Sequence, residues 1–286
     1  MKNIKIKCPA KINLTLEIEN KREDGFHNLK SIMQTISLYD YLDIKVFSQD
    51  NFEIKLEGTS KEIPYDEKNL VYKACKLFFE VNKIKGFAVE VYITKNIPIA
   101  AGLAGGSTDA AGAIYGLNEL FGRPLNKKEL HELCSKLGSD LNVCLEGGCL
   151  LALGRGEKVT KLNTVKTQLT LIKPKNLGIS AKEAYTKYSQ KQHKQKYHNT
   201  EKMLECIKNN EINEKYLYND LEYAIFDDYT ELQIIKKALP SSIMSGSGST
   251  YFILKNHINE IFDKNYQIIE NLKFVNNGVE KIEEIF

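Results

Sequence analysis

Eleven residues from Pro98 to Thr108 constrain this chain more than any other segment. They read Pro-Ile-Ala-Ala-Gly-Leu-Ala-Gly-Gly-Ser-Thr, with three glycines in five positions. The segment before them, Phe87 to Thr94, alternates with the period of a strand, and after them Ala110, Ala111, Ala113, Ile114, Leu117 and Leu120 share one helical face. A strand-to-helix loop free of bulky side chains lets several backbone N–H groups converge, and the positive end of the following helix adds attraction for an anion. The hydroxyls of Ser107 and Thr108 suit phosphate oxygens or a bound Mg²⁺. Two blander readings stand beside this one: small residues for close helix packing, or a dinucleotide-binding turn. The loop contains neither G-x-G-x-x-G nor G-x-x-x-x-G-K-[ST]. Having no lysine of its own, it needs cations from elsewhere.

Three other segments carry polar groups suited to that need. In Pro9-Ala10-Lys11-Ile12-Asn13-Leu14, strand periodicity puts Lys11 and Asn13 on one face, opposite Ile12 and Leu14. That face either lines a site or is a solvated strand surface. In Gly138-Ser139-Asp140-Leu141-Asn142-Val143, Asp140 follows a helix stop and is either a helix N-cap or a carboxylate able to take a proton from an attacking hydroxyl. Ser245-Gly246-Ser247-Gly248-Ser249-Thr250 precedes a strand and is either a flexible turn or a place where backbone meets a ligand.

The remaining pattern supplies the frame. Ile4 to Ile18, interrupted by Pro9, Ile36 to Phe47 and Phe52 to Leu56 read as strands; Asn69 to Asn82 and Lys127 to Leu137 read as helices. Gly147 to Leu153 begins a strand pair, and beyond Gln168 strands and helices alternate toward a final helix and strand, an α+β arrangement. A length of 286 residues favours two domains, taken as 1–162 and 163–286, with a cleft between them. The polar stretch Lys187 to Lys202, with His193 and His198, reads as a solvated helix face or a mobile loop.

Charge and cysteines exclude several classes. Only three of the 40 cationic residues are arginines, Arg22, Arg123 and Arg155, and the net charge is +3, so nucleic-acid recognition is not expected. The six cysteines form no C-x-x-C pair, which argues for reduced thiols and against a structural zinc site. No segment reads as a signal peptide or membrane span, so a cytoplasmic location is expected. Nothing fixes the oligomeric state, for which monomer or weak homodimer is the expectation.

Taken in order, Pro-Ala-Lys-x-Asn, the Pro98–Ala111 run and the late Ser-Gly-Ser-Gly turn resemble the three motifs of the GHMP kinases. The resemblance spans nearly the whole chain. It implies a ribosomal-protein-S5 domain-2-like N-terminal domain and a ferredoxin-like C-terminal domain, with the active site between them. Within the superfamily, Pro-Ala-Lys-Ile-Asn-Leu, Asp24-Gly25-Phe26-His27 and Gly138-Ser139-Asp140 are similar to the branch acting on 4-diphosphocytidyl-2-C-methyl-D-erythritol, in the non-mevalonate isoprenoid pathway. The implied reaction moves the γ-phosphate of ATP to the 2-hydroxyl of that cytidine-diphosphate-linked methylerythritol.

The resemblance also implies roles. Asp140 is the expected general base, Lys11 its cationic partner, and Asn13 a hydrogen-bonding group for the methylerythritol. Pro98, Ala101, Gly102, Leu103, Ala104, Gly105, Gly106, Ser107 and Thr108 are expected to hold the ATP phosphates, with Asn69 and Lys95 near the nucleotide. A β-branched side chain at Gly105 is expected to occupy space where phosphate approaches the backbone and to weaken ATP binding without abolishing folding. Phe26 and His27 match a cytidine clamp, Tyr185 its opposing aromatic, and Ser180, Gly246, Ser247 and Gly248 further substrate contacts. Ala181 stands where relatives often have threonine, so a hydroxyl contact is missing there unless Ser180 replaces it. Other readings are a homoserine- or mevalonate-type kinase, neither of which needs a cytosine clamp, and a ligand sensor of this fold without turnover, against which Lys11 and Asp140 argue. Phe26 and His27 could also merely close a hairpin after Asp24-Gly25.

Overall fold

The computed structural model describes residues 1–191, 198–260 and 262–282. The N-terminal alternation becomes one long strand, β1 (Lys2–Lys21), paired antiparallel with β2 (His27–Ser48). Proline has no N–H to give to a ladder, and the pairing slips between Pro9 and Ala10, where the partner moves from Tyr39 to Ile36. On one side of the slip Ile4, Ile6 and Cys8 pack into a core with the helices of the first half of the chain. On the other, Ala10, Ile12 and Leu14 pack with Leu169, Leu171 and Phe252 of the second half. The odd-numbered face is covered too, leaving Lys11 and Asn13 only 3% and 1% exposed. A solvated strand face is therefore excluded for them.

Strands β3 (Glu53–Gly58) and β4 (Phe87–Thr94) run parallel, joined by α1 (Leu70–Asn82). Next along the chain, α2 (Gly105–Leu120) lies directly on β1 and β2: a Cβ at Gly112 would sit 2.5 Å from Cys8 Sγ, and one at Gly116 2.6 Å from Ile44 Cδ1. Ile114 and Leu117 are fully buried in that contact, each stabilising the fold by about 1.5–3 kcal/mol. This packing fixes where the N-terminus of α2 points. Helix α3 (Lys127–Leu137) opens with an Asn126/Glu129 capping box and stops at Gly138. It is followed by α4 (Leu141–Glu146), a turn and a half too short to show a period in sequence. Strands β5 (Cys149–Gly154) and β6 (Lys158–Leu162) complete this part, β5 pairing with β2.

The second half opens with β7 (Gln168–Pro174), then α5 (Ala181–Gln190) and α6 (Asn199–Lys208). The short strand β8 (Tyr218–Asn219) leads into α7 (Asp220–Ile225) and α8 (Thr230–Ala238). Strands β9 (Ile243–Met244), β10 (Tyr251–Ile253) and β11 (Tyr266–Lys273) follow, and β12 (Glu280–Lys281) comes last. Four of these strands form an antiparallel sheet in the order β11-β7-β10-β9. The others, β8 and β12, return to pair with β1 in the eight-stranded sheet, so strands from beyond residue 162 complete the first layer. The α+β class anticipated from sequence is the one observed.

The final helix anticipated from sequence is absent among the described residues. Between β10 and β11 the backbone bonds outward instead, Ile258 N–H donating to Glu270 Oε1 (3.0 Å) and Asn271 N–H to the Asn256 carbonyl (3.2 Å). The lysine-rich segment ends α5 and begins α6; His193 lies outside the described residues. Among the described residues no helix is long and apolar enough to cross a membrane.

Candidate active site

The glycine-rich loop is pinned from beneath. Asp40, fully buried, accepts from the backbone N–H groups of Asn96 (2.6 Å) and Ile97 (2.9 Å) and pairs with the Lys95 ammonium, which also meets Asp109 Oδ2 at 2.7 Å. Burial pushes the Asp109 carboxyl up to about 7; the neighbouring Asp40 adds to the shift and Lys95 opposes it. Lys95 is held beneath the loop between Asp40 and Asp109, and its side chain is 7% exposed. Asn69, the other residue expected near the nucleotide, caps α1: its side chain accepts from Val71 N–H (2.9 Å) and donates to the Pro64 carbonyl (2.6 Å). Asp40 was not singled out in the sequence, where it is one polar residue within the strand-like segment Ile36 to Phe47.

The loop backbone is strained where it turns into α2. Ala100, Gly102 and Ala104 hold φ of 48°, 73° and 60°, and a left-handed alanine costs on the order of 1 kcal/mol. No side chain caps α2, and no acidic residue occupies its first turn. Among the described residues the N–H groups of Gly105, Gly106 and Ser107 have no backbone acceptor, whereas Thr108 N–H bonds to the Ala104 carbonyl (2.9 Å). Uncompensated N–H groups at a helix start suit a phosphate. The side chains of Ala101 and Leu103 are in the core, so these residues can offer only backbone; Pro98 is half-buried ahead of them. Thr108 is fully buried beside the Cys144 thiol, which leaves the half-buried Ser107 as the accessible hydroxyl. A Cβ on Gly105 would point down, 3.1 Å from Lys95 Nζ and 3.2 Å from Ile97 Cγ2, while one on Gly106 would meet nothing within 4 Å. The open space at the helix start is thus at Gly106, whereas a side chain at Gly105 meets the protein interior.

Lys11 joins the loop to the carboxylate. Its N–H donates to the Leu103 carbonyl (3.1 Å), and its ammonium donates to Asn13 Oδ1 (2.8 Å) and lies 3.5 Å from Asp140 Oδ2. Asp140 stands at the N-cap position of α4, yet its side chain makes no capping bond, and it is 30% exposed. The carboxylate faces the ammonium instead. Among the described residues there is no group of three or more His, Cys, Asp or Glu side chains placed to hold a metal ion.

The Ser-Gly-Ser-Gly turn comes up against the same loop. Ser245 Oγ donates to the Gly102 carbonyl (3.0 Å) and Thr250 N–H to the Ala101 carbonyl (3.3 Å). A Cβ on Gly246 would lie 3.2 Å from Lys11 Nζ. The half-buried Ser247 lies 3.5 Å from the Ile179 carbonyl, and Gly248 N–H bonds to the Ser245 carbonyl (2.9 Å). Asn219, 3% exposed, holds the turn by donating to the carbonyls of Met244 (2.7 Å) and Gly246 (2.8 Å). Sequence reading passed over Asn219, although Asn219-x-x-Glu222 ahead of an apolar helix is a recognisable helix-start pattern.

The aromatic residues meet differently from the expected clamp. The ring stacked on Tyr185 is that of His27, with centroids 5.6 Å apart and planes 18° from parallel; His27 Nε2 lies 3.2 Å from Ser189 Oγ. Phe26 is 53% exposed, with the Arg155 guanidinium 5.1 Å from its ring. Ser180 is spent as the N-cap of α5, accepting from Glu183 N–H (3.1 Å).

Residues 69–148 match the GHMP kinases N terminal domain. A curated 4-diphosphocytidyl-2-C-methyl-D-erythritol kinase from Clostridium tetani is 43% identical over 257 residues, which cover 87% of this chain and 90% of that protein. A crystal structure of 4-(cytidine 5'-diphospho)-2C-methyl-D-erythritol kinase superposes with a TM-score of 0.69 at 29% identity, covering 87% of this chain and 89% of that one. A homoserine kinase from Cytophaga hutchinsonii superposes with a TM-score of 0.74 at 19% identity, covering 99% and 98% of the two chains, which shows a shared fold and no more. Fold alone does not separate the branches of the superfamily; identity at this level over most of both chains does, and the chain belongs to the 4-diphosphocytidyl-2-C-methyl-D-erythritol kinases.

Proposed function

We propose that this kinase transfers the γ-phosphoryl group of ATP to the 2-hydroxyl of 4-diphosphocytidyl-2-C-methyl-D-erythritol, a step of non-mevalonate isoprenoid synthesis, with Asp140 and Lys11 as the reacting pair. The observation that carries this reading is the position of Lys11. Its backbone is bonded to the glycine-rich loop while its side chain faces Asp140 across 3.5 Å. One residue thus ties the phosphate cradle to the carboxylate.

The N–H groups at the start of α2 fit the triphosphate, with Gly102 to Ser107 supplying backbone and Ser107 a hydroxyl. Where the nucleotide carries Mg²⁺, the half-buried Ser107 hydroxyl would be the residue placed to hold it beside the phosphates, and the ion would offset their charge. As the substrate oxygen forms its bond to the γ-phosphorus, the bond to the β-phosphate oxygen breaks and ADP leaves. The hydroxyl proton passes to Asp140, and the Lys11 ammonium offsets charge on the carboxylate and the transferring group. Phe26, His27 and Tyr185 are the cytosine-recognising set, and Asn13 borders the methylerythritol. A location in the cytoplasm accords with free, mostly buried thiols.

The test is steady-state ADP release. Wild-type protein should turn over the cytidine-linked methylerythritol and neither homoserine nor mevalonate. Asp140→Asn should lower kcat by about 10²- to 10⁴-fold with ATP affinity changed no more than a few-fold. Near-normal turnover in that variant would remove Asp140 from the chemistry, and ADP release with homoserine alone would move the chain's activity to another branch.

A further inference from the structure

Behind Lys11 lies a chain of buried hydrogen bonds whose direction is fixed by chemistry. Asn13 Nδ2 donates to Ser31 Oγ (2.9 Å), and Ser31 Oγ donates to the Thr15 carbonyl (2.5 Å). Lys11, Asn13, Thr15 and Ser31 are all 3% exposed or less, so water does not compete for these groups. A main-chain carbonyl can only accept. Ser31 has one hydroxyl proton, and the Thr15 carbonyl takes it, so toward Asn13 the serine oxygen can only accept. That orients the amide: its NH₂ faces Ser31 and its carbonyl oxygen faces the Lys11 ammonium, which donates to it at 2.8 Å. A flipped amide would set NH₂ against NH₃⁺ with no acceptor between them, a buried mismatch of two donors.

We propose that Ser31 is a positioning residue: by accepting from Asn13 it fixes the amide orientation that holds the Lys11 ammonium toward Asp140. The proposal rests on the reading of Lys11 and Asp140 given above. Ser31 lies on β2 and touches neither the glycine-rich loop nor Asp140 through any hydrogen bond seen among the described residues. It acts through Asn13. The register of β1 and β2 makes this possible, since the ladder shifts between the Asn13/Met33 and Thr15/Ile32 pairs and so brings Ser31 beside both Asn13 and Thr15. With the lock removed, the amide is oriented by the ammonium alone, so its flipped form costs less and the ammonium loses its neutral acceptor for part of the time.

Four variants test this, Ser31→Ala, Ser31→Thr, Asn13→Ala and the Ser31→Ala/Asn13→Ala double substitution, with Asp140→Asn as a control. Ser31→Ala, which only shortens a buried side chain, should lower kcat about five- to fifty-fold with the KM for ATP within two-fold. In the Asn13→Ala background the same substitution should cost nothing further, because the group it acts through is gone. Ser31→Thr, which keeps the hydroxyl, should recover most of the activity. A kcat loss that multiplies in full on top of Asn13→Ala would overturn the proposal, as would an unchanged kcat in Ser31→Ala. A readout independent of turnover is the ¹H–¹⁵N signal of the Asn13 side-chain amide, identified by its disappearance in Asn13→Ala. It should be slow to exchange in the wild type and in Asp140→Asn, and fast in Ser31→Ala. Fast exchange in the wild type refutes the lock, whereas slow exchange together with an active Asp140→Asn refutes only the catalytic reading.

Discussion

Replacing Gly106 by valine separates a phosphate-binding loop from a loop that merely packs. The backbone at Gly106 does not lie in the left-handed region, and a Cβ there meets no atom within 4 Å, so the substitution creates neither strain nor a clash. Valine is no worse than glycine as a helix former, and the change in folding stability should stay within about 1 kcal/mol. The isopropyl group enters open space at the start of α2, where a phosphate bound to the uncompensated N–H groups would have to approach. A hydrogen bond to a charged oxygen contributes about 1.5–3 kcal/mol, so losing one alone weakens ATP binding by about 10- to 150-fold, at about 1.4 kcal/mol per decade. Gly105→Val is the internal control with the opposite expectation. Its Cβ points toward Lys95 Nζ at 3.1 Å and Ile97 Cγ2 at 3.2 Å, into the buried Lys95–Asp40–Asp109 group. Overpacking there costs about 1–3 kcal/mol of stability. Titration calorimetry with ATP and thermal melting of both variants decide the matter. Wild-type ATP affinity in a folded Gly106→Val variant would refute the assignment of the α2 N-terminus to the phosphates.

The aromatic set and the buried acids give two more tests. Phe26 is exposed, so Phe26→Ala should leave the melting temperature unchanged while raising the KM for the cytidine substrate about ten- to hundred-fold with that for ATP unmoved; equal effects on both substrates would reduce Phe26 to a turn residue. Asp109, raised from 3.8 to about 7, keeps its proton in the folded chain where the unfolded carboxyl has lost it, so its contribution to stability falls as pH rises through that window, by at most about 1.4 kcal/mol per pH unit. Urea unfolding between pH 5 and pH 8 should therefore show Asp109→Asn less weakened by rising pH than the wild type, and identical slopes would show that this proton is not taken up.

How much of this was legible in the sequence depends on what each residue's role rests on. Lys11 and Asn13 were placed on one face because strand periodicity is a backbone property, and the glycine run was read as an anion cradle because missing side chains are visible in a sequence. The burial of that face was not legible, since it comes from packing against the second half of the chain and from a ladder slip at Pro9. Asp140 illustrates the other kind of ambiguity: an acid after a glycine helix stop reads as a cap, and only the folded chain shows that it makes no capping bond and lies 3.5 Å from Lys11. Lys95 went the opposite way. A lysine before a phosphate loop suggests a nucleotide contact, but Asp40 and Asp109, 55 and 14 residues distant in sequence, claim its ammonium.

The two glycine motifs show why spacing along the chain could not give the shape of the site. Each was read as leaving room for a ligand, and in part each leaves room for the other. A Cβ on Gly102 would come within 2.0 Å of the Ser245 carbonyl oxygen, and one on Gly246 within 3.0 Å of the Gly102 carbonyl oxygen. The bonds that join them, Ser245 Oγ and Thr250 N–H to the carbonyls of Gly102 and Ala101, mostly use backbone groups that every residue possesses. Such contacts select against side chains at the points of approach and otherwise leave no mark on composition or period. Their consequence is that the glycine-rich loop, with two alanines held at positive φ, is clamped from both sides: by Asp40 and Lys95 beneath and by the Ser245–Thr250 turn beyond. A backbone cradle contributes to phosphate binding only if it does not have to reorganise when the anion arrives. The strain at Ala100 and Ala104 therefore needs a surrounding that over-determines it, and that surrounding is drawn from both halves of the chain.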